Sequence, residues 1–336
     1  MFAQPLSVDP GTTNKVPEAT HVRSAIECDR LLRVRNFRHV QRYSLGANAG
    51  AVLFIGACLI GFRVCWVQAQ SAITVFVTVT DTQGRYVTHL QKDDFEIFED
   101  GQPQPLVSID RETRPLRIVV VLDRSASMNG AYPRLFEAVA TFLTRLQPDD
   151  KLRVGAFSDR VEFSSRFTAS PLELLADLSD LSFGNGTKLY DAVLASCDQL
   201  QRTDGRPVLV VATDGDDTDS RARRDAVVNR LRTANIATYA VGIHTKYFNG
   251  VQVVQNTPGR DLKTLPEDTG GAFFEAKEVR DTPSIFTRIA EELHSQYVLA
   301  FSPSQHDGRV HRLAIRVKPP SLTARANLSY VALKSE

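Results

Sequence analysis

Three short stretches, far apart in the chain, hold the side chains best suited to chemistry. Asp123-Arg-Ser125-Ala-Ser127 follows one apolar run and Thr213-Asp214-Gly-Asp-Asp217 follows another. Between them lies the loop Gly184-Asn-Gly186-Thr187-Lys-Leu-Tyr-Asp191. All three offer carboxylates and hydroxyls, with no histidine or cysteine beside them. Hard oxygen donors of this kind suit Mg2+, Mn2+ or Ca2+ rather than zinc. Each stretch also has a plain structural explanation. Ser125 or Ser127 can cap a helix starting near Tyr132, Thr187 can cap one before Leu189, and Asp214-Gly215 can be a turn. Taken together, in their strand context, they point to a divalent-metal site. Asp216, Asp217 and Asp219 read as a solvated acidic rim, and Asp191 as a residue that orients the Thr187 loop or caps a helix.

The elements that would position these groups alternate between strand and helix. Arg117–Leu122 and Val208–Ala212 are unbroken apolar runs, as expected of strands buried on both faces. Further strands are predicted at Leu152–Phe157, Val161–Phe167, Ile236–Ile243 and Ala272–Phe274. Helical spacing predicts helices over Leu135–Leu146, Leu172–Leu181, Leu189–Leu200, Ala222–Ala234, Asp261–Thr269 and Ser284–Gln296. This alternation predicts an α/β fold, a Rossmann-like doubly wound and mainly parallel sheet over 115–300. Ligands of such sheets bind at the carboxyl ends of the strands, where the Asp123 and Asp214 stretches fall, while the Thr187 loop enters a helix. Residues 71–112 read as a small N-terminal β module, from Ile73–Thr80 and Phe95–Glu99. Residues 301–336 read as a C-terminal β extension, with strands at Arg312–Val317 and Ser329–Leu333 following one at Tyr297–Phe301.

Here the chain resembles the von Willebrand factor type A (VWA) domain. That family's metal-ion-dependent adhesion site (MIDAS) combines a D-x-S-x-S turn, a distant threonine and a T-D-G aspartate. All five positions are filled, by Asp123, Ser125, Ser127, Thr187 and Asp214. Phe95-Glu-Ile-Phe-Glu-Asp-Gly before the domain and Tyr297-Val-Leu-Ala-Phe-Ser-Pro after it resemble a bacterial, acidobacterial-type subgroup of VWA-related proteins. The resemblance implies that the serines bind the cation directly, and that the threonine and aspartates bind directly or through water. It also implies an open coordination position, filled by an Asp or Glu of a partner protein. Mg2+ is the expected ion, with Mn2+ and Ca2+ as alternatives.

The compartment is written at the amino end. Residues 1–43 form a basic segment with six arginines between Arg23 and Arg42, either disordered or upstream of the true start. Residues 44–69 hold the uncharged run Ala49–Phe62, followed by Arg63 and by Val67-Gln-Ala69. This segment is a signal peptide, with translation starting near Val34, or an uncleaved anchor with its arginines in the cytoplasm. Both readings place the remaining chain in the cell envelope, periplasmic or secreted, with the anchor in the inner membrane if it is retained.

Other classes fare worse. The 336 residues carry 40 basic and 39 acidic side chains, a net charge of +1, which argues against a nucleic-acid partner. Four cysteines show no zinc spacing, and Cys197, mid-helix, reads as buried and inert. A phosphohydrolase of the haloacid dehalogenase type would need an aspartate where Ser125 stands. No Walker A, GxSxG or HExxH motif occurs, and neither His244 nor His294 has an obvious nucleophile partner in sequence. No catalytic residue and no enzymatic activity are therefore expected. The leading expectation is a metal-dependent adhesion or assembly module, and the alternative is a metal-stabilised envelope scaffold. Oligomeric state is not legible.

Overall fold

The computed structural model describes residues 72–248, 250–332 and 334. The segments 1–43 and 44–69 lie outside the described residues. Among the described residues no helix is long and apolar enough to cross a membrane.

The chain enters through four short strands, β1 (Ile73–Thr80), β2 (Phe95–Glu99), β3 (Gln102–Gln104) and β4 (Leu106–Arg111). It then builds the α/β layer. In order come β5 (Leu116–Asp123), α1 (Tyr132–Arg145), β6 (Lys151–Phe157), β7 (Val161–Phe163), α2 (Pro171–Asp180) and α3 (Leu189–Leu200). There follow β8 (Arg206–Thr213), α4 (Arg224–Thr233), β9 (Ala237–Ile243) and a hairpin of β10 (Thr245–Phe248) and β11 (Val253–Asn256). The layer closes with α5 (Arg260–Thr264), β12 (Phe273–Ala276) and α6 (Thr282–Leu293). Four strands end the chain: β13 (Tyr297–Phe301), β14 (Val310–Val317), β15 (Thr323–Arg325) and β16 (Ser329–Val331).

The central sheet has the order β12-β9-β8-β5-β6-β7, parallel throughout except for the edge strand β7. All eight residues of β5 are buried, because both faces are covered. Ile118, Val120 and Leu122 point into the core beneath α1, α2 and α6, whereas Val119 and Val121 point into the core beneath α3, α4 and α5. On the first face Phe142 of α1 meets Phe286 of α6 edge-on, with ring centroids 5.7 Å apart. Local signals set the helix ends. Ser170 caps α2 by accepting from the Glu173 N–H, and Pro171 fills the first turn, where its missing N–H costs nothing.

The β module and the C-terminal extension are not separate pieces. β1 pairs with β13 in the register Val77↔Tyr297, and β2 pairs with β14 in the register Ile97↔Ile315. Two four-stranded sheets result, β15-β1-β13-β4 and β16-β14-β2-β3, each drawing strands from both ends of the described chain. Val75, Val77, Phe95, Ile97, Leu299 and Phe301 fill the core that the two sheets share. Neither end has enough strands to cover its own apolar face, so each completes the other.

Several elements differ from expectation in extent. The Asp261–Thr269 helix is only α5, since Pro266 cannot donate to a further turn. The strand expected to reach Phe167 stops at Phe163, although Thr168 returns to bridge Leu152. The last helix ends at Leu293 rather than Gln296. The Thr245–Asn256 hairpin was not anticipated.

Candidate metal centre

Four of the five site residues form one hydrogen-bonded chain at the carboxyl ends of β5 and β8. Asp123 ends β5, and its Oδ1 accepts the Ser125 N–H at 2.8 Å. Its Oδ2 accepts the Thr213 hydroxyl at 2.5 Å, across the seam between the two strands. Ser125 Oγ lies 3.2 Å from Ser127 Oγ, and Ser127 Oγ donates to Asp214 Oδ1 at 3.1 Å. The serines are therefore not helix caps. Ala131 precedes α1, and neither serine side chain caps the short 3-10 turn Ala126–Met128.

Thr187 joins the group through its backbone rather than its hydroxyl. Its N–H donates to Thr218 Oγ1 at 2.9 Å and its carbonyl accepts the Thr218 N–H at 3.0 Å. At the other end of its loop the Gly184 N–H donates to the Arg124 carbonyl at 3.2 Å. The three loops are thus tied in a triangle, each to both of the others. Gly186 takes φ +78° in this loop, and a Cβ there would fall 2.5 Å from Asp219 Oδ2, so glycine is needed twice over.

The acidic rim separates by role. Asp217 turns inward, accepting the Tyr190 N–H at 3.1 Å and so satisfying the first turn of α3 from another loop. Asp216 and Asp219 are exposed, as expected. Asp191 accepts the N–H groups of Arg221 and Ala222, at 3.1 and 2.9 Å, and so pins the chain beyond the Asp214 loop. Arg224 pairs with Asp268 at 3.6 Å and donates to Thr264 Oγ1 at 2.9 Å.

Sequence reasoning missed three residues at this centre. The Arg124 guanidinium lies between the rings of Tyr132 and Phe183, 4.0 and 3.8 Å from their centroids, and donates to the Leu178 and Leu181 carbonyls. It anchors the turn after β5 to the end of α2. Thr245 donates its hydroxyl to Asp214 Oδ2, and the Asn256 amide donates to the same oxygen at 3.2 Å. The signal for their hairpin was an Asn249-Gly250 pair between alternating runs.

The electrostatics favour a cation. Asp123 and Asp214 are 0 % and 1 % exposed, and no lysine, arginine or histidine pairs with either among the described residues. Burial raises the Asp123 carboxyl to about 6, against the lowering effect of the Thr213 and Ser125 hydrogen bonds, and the Asp214 charge raises it further. Two buried carboxylates with only neutral donors around them lack a positive partner. Among the described residues no group of three or more histidines, cysteines, aspartates and glutamates is gathered to hold a metal. A centre here rests on two carboxylates plus hydroxyls, a donor set that fits a hard, partly hydrated ion.

The remaining reactive groups have other partners. His244 Nε2 lies 3.0 Å from Glu275 Oε1, and His294 Nε2 lies 2.8 Å from Asp150 Oδ2. Cys197 is buried in α3, and burial pushes its thiol up to about 12.

Comparison with known proteins agrees with this architecture. Residues 93–246 match the family described as VWA domain containing CoxE-like protein. Mouse integrin alpha-X is 27 % identical over 232 residues, covering 61 % of this chain and 20 % of its own length. The chain therefore spans about one fifth of that relative. Solved structures similar to it include an aerotolerance-related membrane protein from Bacteroides fragilis, 14 % identical with a TM-score of 0.46, over 53 % of this chain and 98 % of that one. Another is a von Willebrand factor type A protein from Catenulispora acidiphila, 10 % identical with a TM-score of 0.44, over 80 % and 76 % of the two chains. Over the matched residues the chain is thus similar to VWA domains, in keeping with its α/β layer.

Proposed function

We propose that the chain is a divalent-metal-dependent protein-binding module, for adhesion or assembly, acting outside the cytoplasm and without catalytic activity. The observation that carries this is the pair of buried carboxylates, Asp123 and Asp214, with hydroxyls between them and no basic counter-charge. Ser125, Ser127 and Thr187 would hold the ion together with these aspartates, Mg2+ being the expected occupant. Bound there, the ion supplies an electron-poor centre that attracts an anionic oxygen. Neutral hydroxyls leave more of its charge uncompensated than further carboxylates would. An Asp or Glu carboxylate of a partner protein is the matching ligand.

A second reading is a scaffold in which the ion only stabilises the fold. It draws support from Asp214, whose oxygens already accept from Ser127, Thr245 and Asn256.

A thermal melt of the purified protein in EDTA, then in millimolar Mg2+, Mn2+ or Ca2+, tests the metal. A cation at about 100 times its dissociation constant stabilises the native state by roughly 2.7 kcal/mol, a shift of a few degrees. The shift is expected in the wild type and absent in Asp214→Ala; no shift with any cation would sink the reading. Thr187→Val then separates the two functions. A binding module loses its partner with this change, and a scaffold does not. The compartment is checked by fusing a reporter that folds only where disulfides form to the carboxyl end. Activity of the fusion is expected.

A further inference from the structure

The β10–β11 hairpin enters the sequence between β9 and α5 and returns over the metal site. Its base touches the Asp214 loop at three points. Thr245, 4 % exposed at the start of β10, donates to Asp214 Oδ2. Asn256, its cross-strand partner at the end of β11, donates to the same oxygen at 3.2 Å. Just beyond, Gly259 packs so closely on Asp216 that a Cβ there would fall 1.3 Å from the Asp216 Oδ1. Pro258 meanwhile lies against Gly242 of β9, where a Cβ would come within 2.6 Å of its ring. The hairpin is therefore held at its base by the loop that carries Asp214 and by the end of the neighbouring strand.

These contacts divide the work on one carboxylate. Ser127, inside the site, takes Oδ1, and the hairpin takes Oδ2 with two donors from opposite strands. A carboxylate fixed at one oxygen by two donors loses rotational freedom and presents the other oxygen in a set direction. Given a cation at this site, as proposed above, we propose that Thr245 and Asn256 are positioning residues that orient Asp214 toward it, so that metal loading and the order of the Thr245–Asn256 hairpin are coupled. From this base the strands run outward to Phe248 and Val253, paired with each other and 66 % and 68 % exposed. The coupling thus reaches an exposed apolar tip.

The test uses the purified full chain, with MgCl2 as the probe. Cation affinity is measured by calorimetric titration, and hydrogen–deuterium exchange is followed in peptides covering 245–256 with and without Mg2+. In the wild type, Mg2+ is expected to slow exchange in the hairpin. Thr245→Val, which keeps the shape and removes the hydroxyl, is expected to weaken Mg2+ binding about tenfold, the scale of one hydrogen bond to a charged group. It is also expected to abolish the effect of Mg2+ on hairpin exchange. Thr245→Ser restores both, which a packing role alone would not produce. Asn256→Ala, at a half-buried position on the other strand, gives an independent reading should Thr245→Val fail to fold. Folded Thr245→Val and Asn256→Ala proteins that bind Mg2+ within about twofold of wild type, or hairpin exchange that ignores Mg2+ in the wild type, overturn the proposal. Wild type and Asp214→Ala are titrated alongside. Binding by the first but not the second keeps the metal-dependent reading intact while the hairpin role falls, whereas no binding by wild type removes both.

Discussion

The hydroxyl of Thr78, in the first strand of the β-sandwich, donates at 3.1 Å to the Glu292 carboxylate in the last helix of the α/β layer. The two residues stand 214 positions apart, and both are buried. Around them the network is closed. Glu292 also accepts from the Tyr239 hydroxyl at 2.7 Å and from Arg325 Nη2 at 2.5 Å. Gln296 donates to Thr78 Oγ1 at 2.8 Å and accepts from Arg206, which lies over the Phe76 ring 3.7 Å from its centroid. Thr78 is thus donor to one group and acceptor from another. Sandwich and α/β layer are joined by polar groups that have no access to water if the contact opens only partly, so the two parts act as one unit.

Arg325→Met should expose the dependence of this junction on its one strong donor to Glu292. The carboxylate stays 2 % exposed and keeps only hydroxyl donors. Breaking a buried pair from one side costs about 3–5 kcal/mol, and the lower end applies because Arg325 is itself about a third exposed. Denaturant unfolding at pH 7 measures the loss. Adding Glu292→Gln to the same chain should recover part of it, since a neutral amide needs no counter-charge.

Asp123→Asn should stabilise the metal-free protein at neutral pH while removing its response to cations. The Asp123 carboxyl is raised to about 6, so the folded state holds its proton more tightly than the unfolded chain. This group's contribution is then best below the unfolded value and is lost as pH rises through about 6, leaving a penalty of up to about 3 kcal/mol at pH 7. Melts in EDTA at pH 4, 5 and 7 should show the variant's advantage over wild type growing with pH.

Two glycines offer a matched pair for testing backbone packing. A Cβ at Gly271 would fall 1.7 Å from the Thr238 carbonyl oxygen, which belongs to the backbone of β9 and cannot swing away. Gly271→Ala should cost about 1–3 kcal/mol or more by forcing β12 and β9 apart. At Gly130 nothing lies within 4 Å, and Gly130→Ala should stay within about 0.5 kcal/mol of wild type. Equal losses in the two variants would contradict the packing described for the edge of the sheet.

His311 sets a pH dependence in the sandwich. Its ring nitrogens lie 2.7 Å from Asp100 and 3.1 Å from Asp307, and hydrogen bonds to these carboxylates raise its pKa above the ordinary histidine value. Both aspartates are correspondingly lowered, chiefly by hydrogen bonds from the Arg312 N–H to Asp100 and from His311 to Asp307. The histidine's contribution is complete below about 6.5 and fades as pH rises through its folded value, while the aspartates' contribution fades at acid pH. The stability difference between wild type and His311→Gln should therefore be largest near pH 5–6 and shrink by pH 8. A difference that grows with pH would contradict the pairing.

The α/β alternation was legible because its signals are local. A strand covered on both faces must be apolar at every position, and Ile118–Leu122 says so in five residues. Hydroxyls and carboxylates at the ends of such runs face a single edge of the sheet whatever the details of packing. The roles of Asp217 and Arg224 were not legible. An exposed acidic or basic residue has the same composition signal whether it faces water or reaches across to the turn of another helix. Thr245 sits two residues beyond β9, at the same sheet edge as Asp123 and Asp214, yet a lone threonine carries no sign of what it will bond.

From residue types and periodicity alone, this protein is an α/β layer with oxygen donors collected at one edge. Tertiary structure decided the rest. Val77 meets Tyr297 and Ile97 meets Ile315 across more than 200 positions, closing a sandwich from a small β module and a β extension at opposite ends of the described chain. It also laid a hairpin across Asp214 and buried Glu292 against Thr78. Such pairings follow from which apolar faces remain uncovered once the central sheet has formed, and from the register that lets buried polar groups find partners. Neither condition has a period within any one segment of the chain.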